Sequence, residues 1–83
     1  MIKIYGTKWC GDCFLALKTI QARKIKYEWI DIDKDPQAEK FVIQTNHGFR
    51  SVPTIVFDDG SILVEPSRGD LIKKLSDQSA IKE

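Results

Sequence analysis

Cysteine is scarce in this chain of 83 residues: Cys10 and Cys13 are the only two. Two cysteines cannot build the multi-bridge framework of a small secreted domain. A bond between them would close a very short loop and remove little unfolded-chain entropy, so stabilisation is a poor reason for the pair. Histidine is scarcer still, with His47 alone. A closed structural zinc site takes four Cys or His ligands, and this chain falls short of that number, so no metal is expected. His47, beside Gly48, reads as a helix-end residue. Neither sign of charge dominates: 13 Lys and Arg stand against 12 Asp and Glu, for a net charge of +1. The two signs are interleaved, and the basic face expected of a nucleic-acid or membrane-surface protein is missing. No apolar run approaches the ~20 residues of a membrane span. Met1 to Cys10 lacks the apolar stretch of a secretory signal, so the cytoplasm is the expected location. In that reducing compartment a cysteine pair is more often catalytic or metal-binding than structural.

What is present fits one small globular domain. Hydrophobic residues make up 42% and charged residues 30%, a balance that argues against disorder. The expected domain covers residues 1–77, with residues 78–83 as a frayed tail. Ile2 to Tyr5 form a short apolar-rich strand ended by Gly6 and Thr7. From Gly11 to Arg23, Cys13, Phe14, Ala16, Leu17 and Ile20 recur at helical spacing and predict a helix with one buried face. Tyr27, Trp29, Ile30 and Ile32 mark a second strand. Asp35 and Pro36 suit the cap and first position of a second helix, which buries Ala38, Phe41 and Val42 and ends at Asn46-His47-Gly48, where Asn and Gly tolerate the left-handed conformation. Thr54 to Phe57 form a strand. Asp59-Gly60 predicts a two-residue hairpin turn, and Ser61 to Val64 the returning strand. Ser67, with Asp70 three residues on, opens a last helix that carries Leu71, Ile72 and Leu75. The order β-α-β-α-β-β-α predicts an α/β fold. Its first β-α-β unit is parallel and right-handed, and its final hairpin antiparallel.

The chemistry lies where the first strand hands over to the first helix, at Cys10-Gly11-Asp12-Cys13. A Cys-x-x-Cys pair in a βαβ setting reads as a redox motif. The first amides of a helix lack internal partners and carry the positive end of the helix dipole. They favour a thiolate at Cys10, and thiolate is the nucleophilic form of cysteine. Cys13 lies one turn along, placed to attack a mixed disulfide formed on Cys10. Gly11 keeps the approach to Cys10 open. Trp9 offers a flat apolar surface beside the sulfur, and Lys8 a positive neighbour. Asp12, between the cysteines, places a negative charge that opposes a second one on Cys10.

Residues 3–13, Lys-Ile-Tyr-Gly-Thr-Lys-Trp-Cys-Gly-Asp-Cys, together with Ser51-Val52-Pro53-Thr54, Asp59-Gly60-Ser61 and Glu65-Pro66-Ser67, resemble the glutaredoxin family, and within it the mycoredoxin-like group. The resemblance spans residues 2 to about 75. It implies a thioredoxin fold with a four-stranded mixed sheet flanked by helices. It makes Cys10 the nucleophile and Cys13 the resolving thiol. It also implies a cis bond before Pro53, opposite the cysteines, with Val52 offering backbone groups to a substrate. By the same resemblance, Thr7, Lys8, Trp9, Gly11 and Asp12 on one side, and Arg50, Ser51, Val52 and Pro53 on the other, form the substrate-binding set. Where glutathione-using members often carry a lysine, this chain has Thr7. Where thioredoxins usually bury an aspartate, it has Ile4.

The expected activity is dithiol–disulfide exchange on protein or mixed disulfides by a monomer without a bound cofactor. Disulfide-containing proteins are the expected substrates. The recycling partner is a small thiol such as glutathione or mycothiol, or a flavin reductase. Two alternatives carry different expectations. One is a dimer holding an iron–sulfur cluster through thiolates of two chains. The other is a dedicated electron donor to ribonucleotide reductase, suggested by the similarity of Gly48 to Pro53 to redoxins with that role.

Overall fold

The computed structural model describes residues 1–82, with side chains for residues 1–77. The strands are β1 (Ile2–Gly6), β2 (Tyr27–Asp31), β3 (Thr54–Val56) and β4 (Ile62–Val64); the helices are α1 (Gly11–Ala22), α2 (Pro36–Thr45) and α3 (Arg68–Lys82). The fraying expected of residues 78–83 concerns a segment outside the residues whose side chains are described.

One four-stranded sheet runs in the order β2-β1-β3-β4. β1 pairs parallel with β2, Ile4 opposite Trp29, and antiparallel with β3, Ile4 opposite Ile55. β3 and β4 close the hairpin, with Ile55 opposite Leu63. Period-two alternation of side chains divides the sheet between two cores. Ile2, Ile4 and Ile55 pack with Ala16 and Ile20 of α1 and Leu71 and Leu75 of α3. Tyr5, Ile30 and Ile32 pack instead with Ala38, Phe41 and Val42 of α2. The sheet is thus covered by α1 and α3 on one face and by α2 on the other.

Local signals act as their chemistry requires. Asp35 Oδ1 accepts from the amides of Gln37 and Ala38, each at 3.1 Å, and Pro36 occupies the first turn of α2. Ser67 Oγ accepts from the Asp70 amide at 3.1 Å and opens α3. Three expectations are corrected. In α1 the buried stripe is Cys13, Ala16 and Ile20, while Phe14 is 55% exposed. At 100° per residue, Phe14 turns off the stripe that its neighbour Cys13 occupies. The left-handed residues after α2 are His47 and Gly48, whereas Asn46 stays at φ −108° and bonds back to Val42 through both its amide and its side chain. The hairpin loop is also one residue longer than expected. The Phe57 amide donates to Ser61 O at 2.9 Å, leaving Asp58, Asp59 and Gly60 in the loop. Gly60 at φ +87° fills the left-handed last position, as three-residue hairpin loops require.

Candidate active site

The site lies at the carboxyl ends of β1 and β2, where open α/β sheets place their chemistry. β1 ends at Gly6, and Thr7 to Trp9 carry the chain into α1. Cys10 is the N-cap of α1, in extended conformation at φ −93° and ψ 111°. Its sulfur accepts a hydrogen bond from the Cys13 amide at 3.1 Å. A cysteine sulfur stands here where Ser, Thr or Asp usually caps, and it takes one of the amides that the start of a helix leaves unpaired. Cys10 is half-buried and Cys13 fully buried, and both are free thiols.

On the opposite wall the Val52–Pro53 bond is cis, as the resemblance implies. The Cys10 thiol faces the Val52 carbonyl at 3.9 Å, within long sulfur hydrogen-bonding range. Below it, the Thr54 hydroxyl donates to Ser51 O at 2.8 Å and accepts from Asn46 Nδ2 at 3.2 Å. The Pro53 carbonyl accepts the Glu65 amide at 2.9 Å. The proline turn is therefore tied to the end of α2 and to the start of the α3 connection.

Cys13 is packed beneath the motif. Burial pushes its thiol up to about 12, assisted by contact with the Cys10 sulfur and by negative charge on Cys10 and Asp12; the Thr7 backbone pulls the other way. Gly6 accounts for part of this packing. A Cβ on it would lie 2.6 Å from Trp29 Cη2 and 2.8 Å from Cys13 Sγ. Only a residue without a side chain lets β1 pass this close to the ring and the sulfur. The buried Thr7 hydroxyl has no hydrogen-bond partner among the described residues.

The other residues of the expected set spread around this centre. Gly11 and Asp12 are exposed in the first turn of α1, and a Cβ on Gly11 would meet nothing within 4 Å. Lys8 is exposed with its ammonium beside Lys34, which pulls its pKa below the usual lysine range. Trp9 is 70% exposed, and its indole Nε1 donates to Asp33 Oδ2 at 2.9 Å. Arg50 forms an ion pair with the same Asp33 and donates through Nε to Glu39 Oε2 at 2.6 Å. The Arg50 and Trp9 bonds hold Asp33 below the usual carboxylate range, Arg50 first.

Asp33 and Glu39 were absent from the residues singled out in the sequence. Asp33 had a signal, since it follows the carboxyl end of β2 beside the end of β1 that bears the cysteines. Glu39 carried none beyond its charge near the start of α2. An open groove of about 650 Å³ adjoins the site at Asp12 and runs between α1 and α3, past Leu15, Thr19 and Leu71 to Glu65 and Arg68.

The sequence model of the glutaredoxins matches residues 2–62. The chain belongs to the glutaredoxin family. Among its relatives is a Mycobacterium tuberculosis protein assigned to the glutaredoxins, 40% identical over 74 residues, which cover 89% of this chain and 88% of the relative. Mycoredoxin 1 of Corynebacterium glutamicum is 35% identical over 74 residues, covering 89% and 91% of the two chains. The solved NrdH-redoxin of Escherichia coli superposes with a TM-score of 0.72 at 22% identity, covering 87% of this chain and 91% of that one. That likeness establishes the thioredoxin fold. This glutaredoxin is therefore a thioredoxin-fold redox protein, and its Cys-x-x-Cys motif begins at the N-cap of α1. No helix among the described residues is long and apolar enough to cross a membrane.

Proposed function

We propose that the chain is a dithiol–disulfide oxidoreductase that reduces protein or mixed disulfides through Cys10 and Cys13. The observation that carries this reading is the inequality of the two sulfurs. Cys10 is reachable and caps α1, whereas Cys13 is buried with its thiol pushed up to about 12. Cys10 as thiolate attacks one sulfur of the substrate. The Cys10–substrate bond forms as the substrate S–S bond breaks, and the first substrate sulfur leaves as thiolate and takes a proton. Cys13 then gives up its proton and attacks Cys10. The Cys10–Cys13 bond forms, the second substrate thiolate departs, and that thiolate can take up the proton released by Cys13. Two electrons have moved from the protein to the substrate, in the mixed-disulfide sequence common to thiol exchange.

The elements around the sulfurs support the same reading. Val52 lies beside Cys10 and can present backbone groups to an extended substrate segment, as in strand addition. Trp9, largely exposed, provides an apolar platform next to the nucleophile. The proposed substrates are disulfide-containing proteins in the cytoplasm, met by a monomer without a bound cofactor. The proposed reductant is a small thiol or a flavin reductase. Relatedness to Mycoredoxin 1 at 35% identity makes mycothiol the first small thiol to test. In the test, an oxidised protein substrate is supplied and recycling by glutathione, mycothiol and thioredoxin reductase is compared. Turnover with one of the three, lost in Cys10→Ser, is expected. No turnover with any of them contradicts the reading.

A further inference from the structure

Arg50 stands at a revealing place. It lies two residues before Val52, whose carbonyl faces the Cys10 thiol at 3.9 Å. Its partner Asp33 also accepts from Trp9, the residue before Cys10, at 2.9 Å. Asp33 therefore joins the two segments that frame the reactive sulfur. A guanidinium in this position would serve as a fork for the carboxylate of an incoming ligand. Here the fork is already engaged: Nη2 pairs with Asp33 and Nε with Glu39. Two carboxylates thus share the one guanidinium, and Asp12 adds a negative charge in the first turn of α1.

We propose that Asp33 and Glu39 are specificity-determining residues that withhold Arg50 from carboxylate-bearing thiols and so disfavour anionic thiols relative to uncharged ones. The inference rests on the oxidoreductase reading and adds to it the charge class of the small thiol. A carboxylate approaching Arg50 must displace one of its partners or share a guanidinium that two carboxylates already hold. An uncharged thiol meets neither obstacle. Lys8 and Lys34 add positive charge beside Trp9 and Asp33, but they are the same in every variant below, so the comparison isolates Arg50.

The test starts from the protein carrying the Cys10–Cys13 disulfide. Its reduction by glutathione and by 2-mercaptoethanol is followed at one pH and low ionic strength, and the ratio of the two rate constants is the readout. Glu39→Gln and Asp33→Asn keep the side-chain shape and remove one carboxylate charge each. In each variant the glutathione/mercaptoethanol ratio is expected to rise roughly two- to fivefold, the size of one exposed charge contact. The gain should disappear in Glu39→Gln/Arg50→Gln and shrink at ~1 M salt, where the screening length is about 3 Å. An unchanged ratio in both single variants overturns the proposal. So does an equal gain in the Arg50→Gln background, which would show a general field effect. The readout needs only the Cys10–Cys13 disulfide. A chain that reduces no protein substrate would defeat the functional reading and leave this ratio measurable.

Discussion

The Cys13 amide donates to the Cys10 sulfur at 3.1 Å, while the Cys13 side chain turns into the core beneath it. One residue thus donates to its partner's sulfur through its backbone and keeps its own thiol protonated through burial. Alkylation with iodoacetamide near neutral pH should modify Cys10 first, because the thiolate is the reacting species and the nucleophile must be reachable. Cys13→Ser should accumulate a mixed disulfide on Cys10, and Cys10→Ser should be inert. Peptide mapping by mass spectrometry checks both, and equal labelling of the two thiols would contradict the assignment.

Stability should depend on pH through Cys13. Its ordinary value is 9.0, and the fold raises it to about 12. At alkaline pH the unfolded chain therefore loses this proton before the folded chain does. The stabilising contribution is complete below about pH 9 and falls away as pH rises toward about 12. Urea midpoints of the reduced protein should drop between pH 8.5 and pH 11 by more than those of Cys13→Ala, which keeps Cys10 and every other titrating group. Parallel curves for the two proteins would contradict the shift.

Asp12 adds negative charge against a Cys13 thiolate. Asp12→Asn removes that opposition with little change of shape, so the Cys13 pKa should fall and the resolving step should quicken. Single-turnover release of substrate from a preformed Cys10 mixed disulfide measures that step directly. A slower release than in the unsubstituted chain would rule this role out.

Two threonines in the same region should respond oppositely to valine. Thr54 Oγ1 serves both Ser51 O and Asn46 Nδ2, so Thr54→Val strands buried polar groups and should cost about 1–3 kcal/mol. The buried Thr7 hydroxyl has no partner among the described residues, so Thr7→Val should be close to neutral or stabilising. Gly6→Ala should also destabilise, by roughly 1–3 kcal/mol, since its Cβ would overlap the Trp29 ring and the Cys13 sulfur. Urea unfolding of the three variants decides all of these.

The sequence made some of this legible and hid the rest for physical reasons. Asp35-Pro36, Ser67 and the Cys-x-x-Cys pair act through bonds to residues two to four positions away, and local chemistry is what a sequence displays. Hydrophobicity alone cannot decide which of two adjacent apolar residues on a helix turns inward, here Cys13 rather than Phe14. The Asp59-Gly60 turn gained a residue because its length depends on which amide closes the hairpin, here that of Phe57. Gly6 looked like a strand ending. Its need for an empty Cβ position comes from Trp29, 23 positions away in the neighbouring strand. Asp33, Glu39 and Arg50 form one cluster from three separate segments, and nothing in their spacing marks them as partners.

The dithiol mechanism is tested most directly by where the electrons go. Reduced protein is mixed with an equimolar disulfide-bonded protein substrate under anaerobic conditions, quenched with acid and analysed by intact mass and peptide mapping. The prediction is a Cys10–Cys13 disulfide in this chain matched by one disulfide reduced in the substrate, abolished by Cys10→Ser and arrested as a Cys10 mixed disulfide by Cys13→Ser. Substrate reduction that proceeds without a Cys10–Cys13 disulfide, or that survives Cys10→Ser, would contradict it.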